Sequence, residues 1–193
     1  MTESAVAAPS TPFKGLAPFE DSALDALLFF GREREIEVIA ANLMANRLTV
    51  LYGPSGVGKT SLLRAGLAQR LRREPEAVVI VASSWGDDPV AALLDAIEPG
   101  PQERSLPDAL ENLSRRLDSN VYLVLDQFEE YFLYHGDDPP DKDFSTELAG
   151  LIATSVRVNL LIAIREDAFA RLDRFEAHVP RLFEQHAAPG PSR

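Results

Sequence analysis

The stretch Arg47-Leu48-Thr49-Val50-Leu51-Tyr52-Gly53-Pro54-Ser55-Gly56-Val57-Gly58-Lys59-Thr60-Ser61 constrains this chain more than any other. A short apolar, β-branched run ends in a glycine-rich turn. It passes directly into Leu62-Leu63-Arg64-Ala65-Gly66-Leu67, whose leucines recur at helical spacing. Strand, loop and helix in that order describe a phosphate-binding loop. Glycines at 53, 56 and 58 permit backbone conformations that a Cβ would obstruct, so successive N–H groups can turn inward around a polyphosphate. The helix that follows aims its positive dipole end at the same anion. Lys59 would reach the β- and γ-phosphates as a point charge, and the Thr60 hydroxyl would ligate Mg²⁺. Pro54, Ser55, Val57 and Ser61 complete the predicted nucleotide-binding loop. A glycine turn that merely starts a helix would need neither the lysine nor the hydroxyl.

Composition limits the partners. The chain has 193 residues, enough for one domain with a real core, and 46% of them are hydrophobic. A formal charge of -11 and a pI near 4.7 argue against a broad electrostatic footprint for nucleic acid or anionic membrane. No cysteine occurs, which removes disulfides, thiolate metal sites and thiol nucleophiles. No run approaches the ~20 apolar residues that span a bilayer, and Met1 to Pro9 lacks the pattern of a signal peptide. The expectation is a soluble, cytoplasmic protein with no membrane contact.

Further strands and helices alternate along the chain. Residues 1–11 read as a disordered lead-in, and Pro12 to Ala23 as an apolar clasp in which aromatics alternate with turn residues. Gly31 breaks the run Leu28-Phe29-Phe30 and begins a helix with Ile36, Ile39, Ala40 and Leu43 on one face. Ala77 to Val81 is continuously apolar, the pattern of a strand covered on both faces. Helices are predicted from Pro89 to Ile97, Leu106 to Leu117 and Phe144 to Ser155, and strands from Val121 to Asp126 and Val158 to Ile164. Gly136 to Asp141 reads as a solvated acidic turn, and the scattered His135, His178 and His186 as surface residues. The economical fold is α/β, a mainly parallel sheet sandwiched by helices in three layers.

Two strand ends carry further chemistry. Asp126 stands at the C-terminal end of its strand, where ligands bind in open α/β sheets, and is placed to hold the Mg²⁺ shell with Thr60. Glu129 or Glu130 could orient or deprotonate an attacking water, or the pair could simply favour the dipole of the next helix. Arg165 ends the Val158 strand and would sense a γ-phosphate, unless an ion pair with Glu166 or Asp167 claims it.

Taken together, these pieces resemble the STAND class of P-loop ATPases, and within it the bacterial novel STAND group. The resemblance is carried by Pro12 to Phe19, Phe29-Phe30-Gly31-Arg32-Glu33-Arg34-Glu35, Gly53 to Leu67, Asp126-Gln127-Phe128-Glu129-Glu130 and Arg165. It covers residues 12–183, with 184–193 left as a flexible tail. It implies ATP or ADP rather than GTP, in agreement with the lack of an Asn-Lys-x-Asp guanine signature. It also implies Mg²⁺ on Thr60 and Asp126, water activation by Glu129 or Glu130, a γ-phosphate sensor in Arg165, and Gly31 and Arg32 near the adenine. Such proteins are regulatory switches in bacterial signalling or defence, with protein partners or self-association through regions outside this chain. The expected departure is at the end. Nothing after Phe183 reads as a strand, so the P-loop NTPase core is predicted to lack its last strand and lid, and to turn over slowly. Three other readings use the same loop: an AAA+-like ATPase acting on DNA, a small-molecule kinase, and a scaffold that holds nucleotide without turnover.

Overall fold

The computed structural model describes residues 31–97, 105–136, 142–153, 157–176, 178 and 187–189. The clasp at Pro12 to Ala23, the lead-in, most of the acidic turn, His186 and most of the tail lie outside the described residues.

Helix α1 (Glu33–Ala45) opens with Glu33 and Glu35 in its first turn, where carboxylates favour the dipole, and buries Ile36, Ile39, Ala40 and Leu43. Strand β1 (Leu48–Gly53) leads through the glycine loop into helix α2, which comprises Lys59–Ser61, a π-helical stretch Leu62–Ala68 and Gln69–Leu71. After β2 (Ala77–Ala82) come α3 (Pro89–Ile97) and α4 (Leu106–Leu117). Asp88 Oδ1 accepts from the Ala91 N–H at 2.8 Å, and the Ser105 hydroxyl accepts from the Asp108 N–H at 3.2 Å, so each helix starts on a side-chain cap. Strand β3 (Asn120–Leu125) is followed by a 3₁₀ turn (Phe128–Glu130) and the short α5 (Tyr131–Tyr134). Helix α6 (Lys142–Ala153), strand β4 (Val158–Arg165) and a 3₁₀ helix (Glu166–Phe175) complete the core, with β5 (Ala187–Pro189) beyond them.

The sheet order is β2-β3-β4-β1-β5 and every pair is parallel. Central strands bury both faces by strict alternation. Leu48, Val50, Val121, Leu123, Leu125, Leu160, Ile162 and Ile164 face α3, α4, α6 and an aromatic cluster. Leu51, Tyr122, Val124, Leu161 and Ala163 face α1 and α2. This is the expected three-layer α/β sandwich.

Ala77 to Val81 is covered on both faces as expected, Val78 and Ile80 packing on one core cluster and Ala77, Val79 and Val81 on the other, although β2 is an end strand of the sheet and is only half-buried for most of its length. An unbroken apolar run cannot tell a central strand from an outer one. One strand reading needs correction: the chain does not lack a strand after Phe183, because Ala187–Pro189 pairs with Val50–Tyr52 on the outer edge of β1. Ala-Ala-Pro has no strand signal of its own. Its pairing is main-chain, at a sheet edge where a proline is tolerated.

Candidate functional site

The register assembles the site. Gly53 lies opposite Arg165, Ala82 opposite Leu125, and Leu125 opposite Ile162. Pro54, Ser83 and Asp126 therefore leave the sheet at one edge, while β4 runs on beside them to Arg165. That edge is the carboxyl end of the parallel strands, where the sequence placed it.

Within the glycine loop, Gly56 and Gly58 have φ of +77° and +78°, a region that disfavours other residues. Gly58 hands the chain to α2, and its carbonyl accepts the Leu62 N–H at 2.9 Å. Lys59 folds back over the loop, its Nζ donating to the carbonyls of Gly53 at 2.8 Å and Pro54 at 2.9 Å. Burial lowers the Lys59 ammonium below the usual lysine range; Glu129 and then Asp126 pull it back up, Arg165 pushes it further down, and Asp167 opposes that. Those partners identify the groups that converge on the loop.

Asp126 is 1% exposed. Its Oδ1 accepts the Gln127 N–H at 2.9 Å, whereas its Oδ2 is buried without a hydrogen-bond partner. Burial raises the carboxyl above the usual carboxylate range, against the Thr60 hydroxyl, the Gln127 N–H and Arg64; the Glu129 charge adds to the rise. A divalent cation fits here, since it would take up the orphaned oxygen beside the Thr60 hydroxyl. Among the described residues no group of three or more His, Asp or Glu side chains forms a ready-made metal cage.

The turn after β3 decides where the acidic pair points. Gln127 has φ +55°, a left-handed conformation that costs a non-glycine residue roughly 1 kcal/mol or more. Phe128 holds it there, fully buried among Trp85, Tyr131, Phe132, Phe144 and Phe175, with ring centroids 4.9 to 6.1 Å away. The chain is thereby turned so that Glu129 Oε2 accepts the Arg165 N–H at 3.2 Å. Glu129 is the member of the pair whose charge acts on both Lys59 and Asp126. Arg165 is engaged with Asp167, Nε to Oδ1 at 3.0 Å and Nη2 to Oδ2, the ion pair that the sequence left open as its alternative partner. The two side chains are 43% and 65% exposed, so the pair holds Arg165 only weakly, by about 0–1 kcal/mol.

Arg32, expected near the adenine, has its guanidinium against the glycine loop. Its guanidinium donates to the Val57 carbonyl and to Glu35, on the loop itself. An arginine fork has enough donors to serve both at once.

Sequence reading missed Arg64 and Trp85. Arg64 Nη2 donates to Ser83 Oγ at 2.7 Å, and its Nε lies 3.9 Å from Asp126 Oδ2. The available signal was spacing: Thr60 and Arg64 are four apart and share a helix face. Trp85, the single tryptophan, is 1% exposed and its indole N–H donates to the Asp126 carbonyl at 2.8 Å. Trp85→Phe keeps an aromatic ring but leaves that carbonyl without its donor. It should cost about 1–2 kcal/mol of stability, read as a lower urea midpoint by circular dichroism; an unchanged midpoint would refute this anchoring. His135, read as a surface residue, is half-buried against Tyr131 with a ring separation of 4.5 Å, and its Nε2 lies 3.0 Å from the Gly86 carbonyl oxygen.

No helix among the described residues is long and apolar enough to cross a membrane. The fold is shared with the Walker-type ATPase of Pyrococcus abyssi, at TM-score 0.61 and 19% identity, over 91% of this chain and 55% of that one. It is also shared with the ORC2 protein of Aeropyrum pernix in its ADPNP-ADP complexes, at TM-score 0.58 and 15% identity, over 93% of this chain and 49% of that one. The chain thus spans about half the length of these structures. The profile of the family described as Novel STAND NTPase 1 matches residues 12–191, all the motifs above included. This chain belongs to the novel STAND NTPase family.

Proposed function

We propose that this domain binds ATP and ADP with Mg²⁺ and hydrolyses ATP slowly, as the nucleotide-reading part of a cytoplasmic switch in bacterial signalling or defence. The observation that carries the reading is the meeting of Lys59, Thr60, Asp126, Glu129 and Arg165 at one sheet edge around a loop with left-handed glycines. Loop amides and Lys59 bind the phosphates; Thr60 and Asp126 would hold the metal. When bound, Mg²⁺ neutralises phosphate charge and fixes the geometry of the phosphate tail. Glu129 takes the proton of the attacking water, with Glu130 left to the turn. Arg165, released from its exposed pair with Asp167, meets the γ-phosphate and ties its presence to β4. Coupling to protein partners or to other copies runs through regions outside this chain. The charge of -11 favours such partners over nucleic acid.

Titration calorimetry of ATP and ADP, with and without Mg²⁺, tests the reading. Mg²⁺ should tighten ATP binding to the wild-type chain. Asp126→Asn should lose about tenfold of that gain while changing metal-free affinity little. A Mg²⁺ effect of the same size in both proteins would remove Asp126 from the metal site, and no nucleotide binding at all would sink the function.

A further inference from the structure

Arg32 lies just ahead of α1, yet its guanidinium is built into the loop that follows β1. Nη1 donates to the Val57 carbonyl at 2.9 Å and reaches the Gly58 carbonyl at 3.4 Å. The opposite edge is braced by Glu35, whose Oε2 accepts from Nε at 2.9 Å and from Nη2 at 2.6 Å. The Arg32 side chain is 18% exposed and that of Glu35 39%, so the guanidinium end of the pair is the better shielded from the screening that weakens surface contacts. Gly58 approaches so closely that a Cβ there would meet Arg32 Nη1 at 3.3 Å.

A trans peptide points its C=O and N–H to opposite sides, and no peptide among the described residues is cis. Holding the Val57 carbonyl against Arg32 therefore turns the Gly58 N–H to the other side of the loop. The Gly58 carbonyl, shared between Arg32 and the Leu62 N–H, does the same for the Lys59 N–H. These two amides open α2, at the position where a phosphate would sit. A loop with glycines at 56 and 58 could otherwise rotate those planes at little cost.

Resting on the nucleotide reading above, we propose that Arg32 is a positioning residue of the phosphate site, holding two loop peptide planes so that their N–H groups face the anion before it arrives. It acts through the outer carbonyls of the loop and touches neither base nor phosphate. The gain is preorganisation, so its loss should appear as weaker phosphate binding with unaltered base preference.

Calorimetric titration of inorganic tripolyphosphate, ATP and GTP into the whole chain tests this. Arg32→Ala should weaken tripolyphosphate and ATP by the same factor, about tenfold, with the ATP-to-GTP affinity ratio unchanged. Glu35→Gln, which removes a charge from the brace and leaves Arg32 in place, should weaken both by about threefold. Tripolyphosphate affinity retained in Arg32→Ala, or an ATP preference lost while tripolyphosphate still binds, overturns the proposal. Should circular dichroism show Arg32→Ala unfolded, Glu35→Gln decides alone, and unchanged affinities there overturn it. Lys59→Ala separates this failure from a deeper one: if that variant also keeps tripolyphosphate, the phosphate site itself is wrongly placed.

Discussion

Lys59→Ala should lower ATP affinity by about 100-fold or more, since it removes the one loop cation that a triphosphate would meet together with its charge-assisted hydrogen bonds. In the structure this ammonium already lies over the loop, on the carbonyls of Gly53 and Pro54. It is poised beside the phosphate path and needs no large movement to reach it. Its partial burial matters for the size of the effect. Desolvation lowers its proton affinity, and the carboxylates of Glu129 and Asp126 oppose that. A phosphate tail arriving there would do the same at closer range, in a medium less screening than water. The truncation should cost modest stability, about 1–2 kcal/mol, because one of the two carbonyls it frees, that of Pro54, is exposed to water while that of Gly53 is partly buried. Loss of binding with a cooperative melting transition retained would thus separate function from folding. Calorimetric titration with ATP and with ADP measures it; affinities within about threefold of wild type would show that the loop does not bind phosphate through Lys59.

Much of this site was legible because its signals are local. The glycine spacing, Lys59 and Thr60 sit in one contiguous stretch, and the apolar runs ending at Asp126 and Arg165 mark strand ends without any knowledge of their neighbours. One sheet edge then collects all strand ends, since parallel strands share a direction. What escaped reading depends on contacts between distant segments. Arg64 and Trp85 support Asp126 from behind, one through a charge at 3.9 Å and one through a carbonyl at 2.8 Å, and neither belongs to a motif. The position of β2 at the end of the sheet follows from the strand order, which an apolar run does not encode. Strand β5 rests on main-chain pairing of Ala187–Pro189 alone. The bond from Arg32 to the Val57 carbonyl likewise joins distant segments, and a guanidinium can serve a base, a phosphate or a carbonyl equally well. The choice between Glu129 and Glu130 was undecidable from sequence for a related reason: it turns on the φ of Gln127 and on the burial of Phe128.

That choice yields the second large effect. Glu129→Gln should leave ATP binding within about threefold of wild type and reduce hydrolysis by about 10²–10³, the range expected for loss of a positioned general base. Glu130→Gln should change hydrolysis by less than about threefold. Both substitutions remove one charge from neighbouring positions of the same 3₁₀ turn, so a general electrostatic effect would strike them alike. The asymmetry comes from the turn. With Gln127 left-handed and Phe128 driven into the aromatic cluster, Glu129 is carried toward β4, where its carboxylate accepts the Arg165 N–H. There its charge acts on Lys59 and Asp126, so it lies among the groups that would bind the phosphates and the metal. A glutamine can still accept from the Arg165 N–H, which keeps the tip of β4 in place, yet it cannot take a proton. Single-turnover hydrolysis, with protein in excess over ATP and well above Kd, isolates the chemical step from binding and release. The reverse pattern, Glu130→Gln inactive and Glu129→Gln intact, would mean that the turn rotates when nucleotide binds; equal small losses would mean that neither carboxylate activates water.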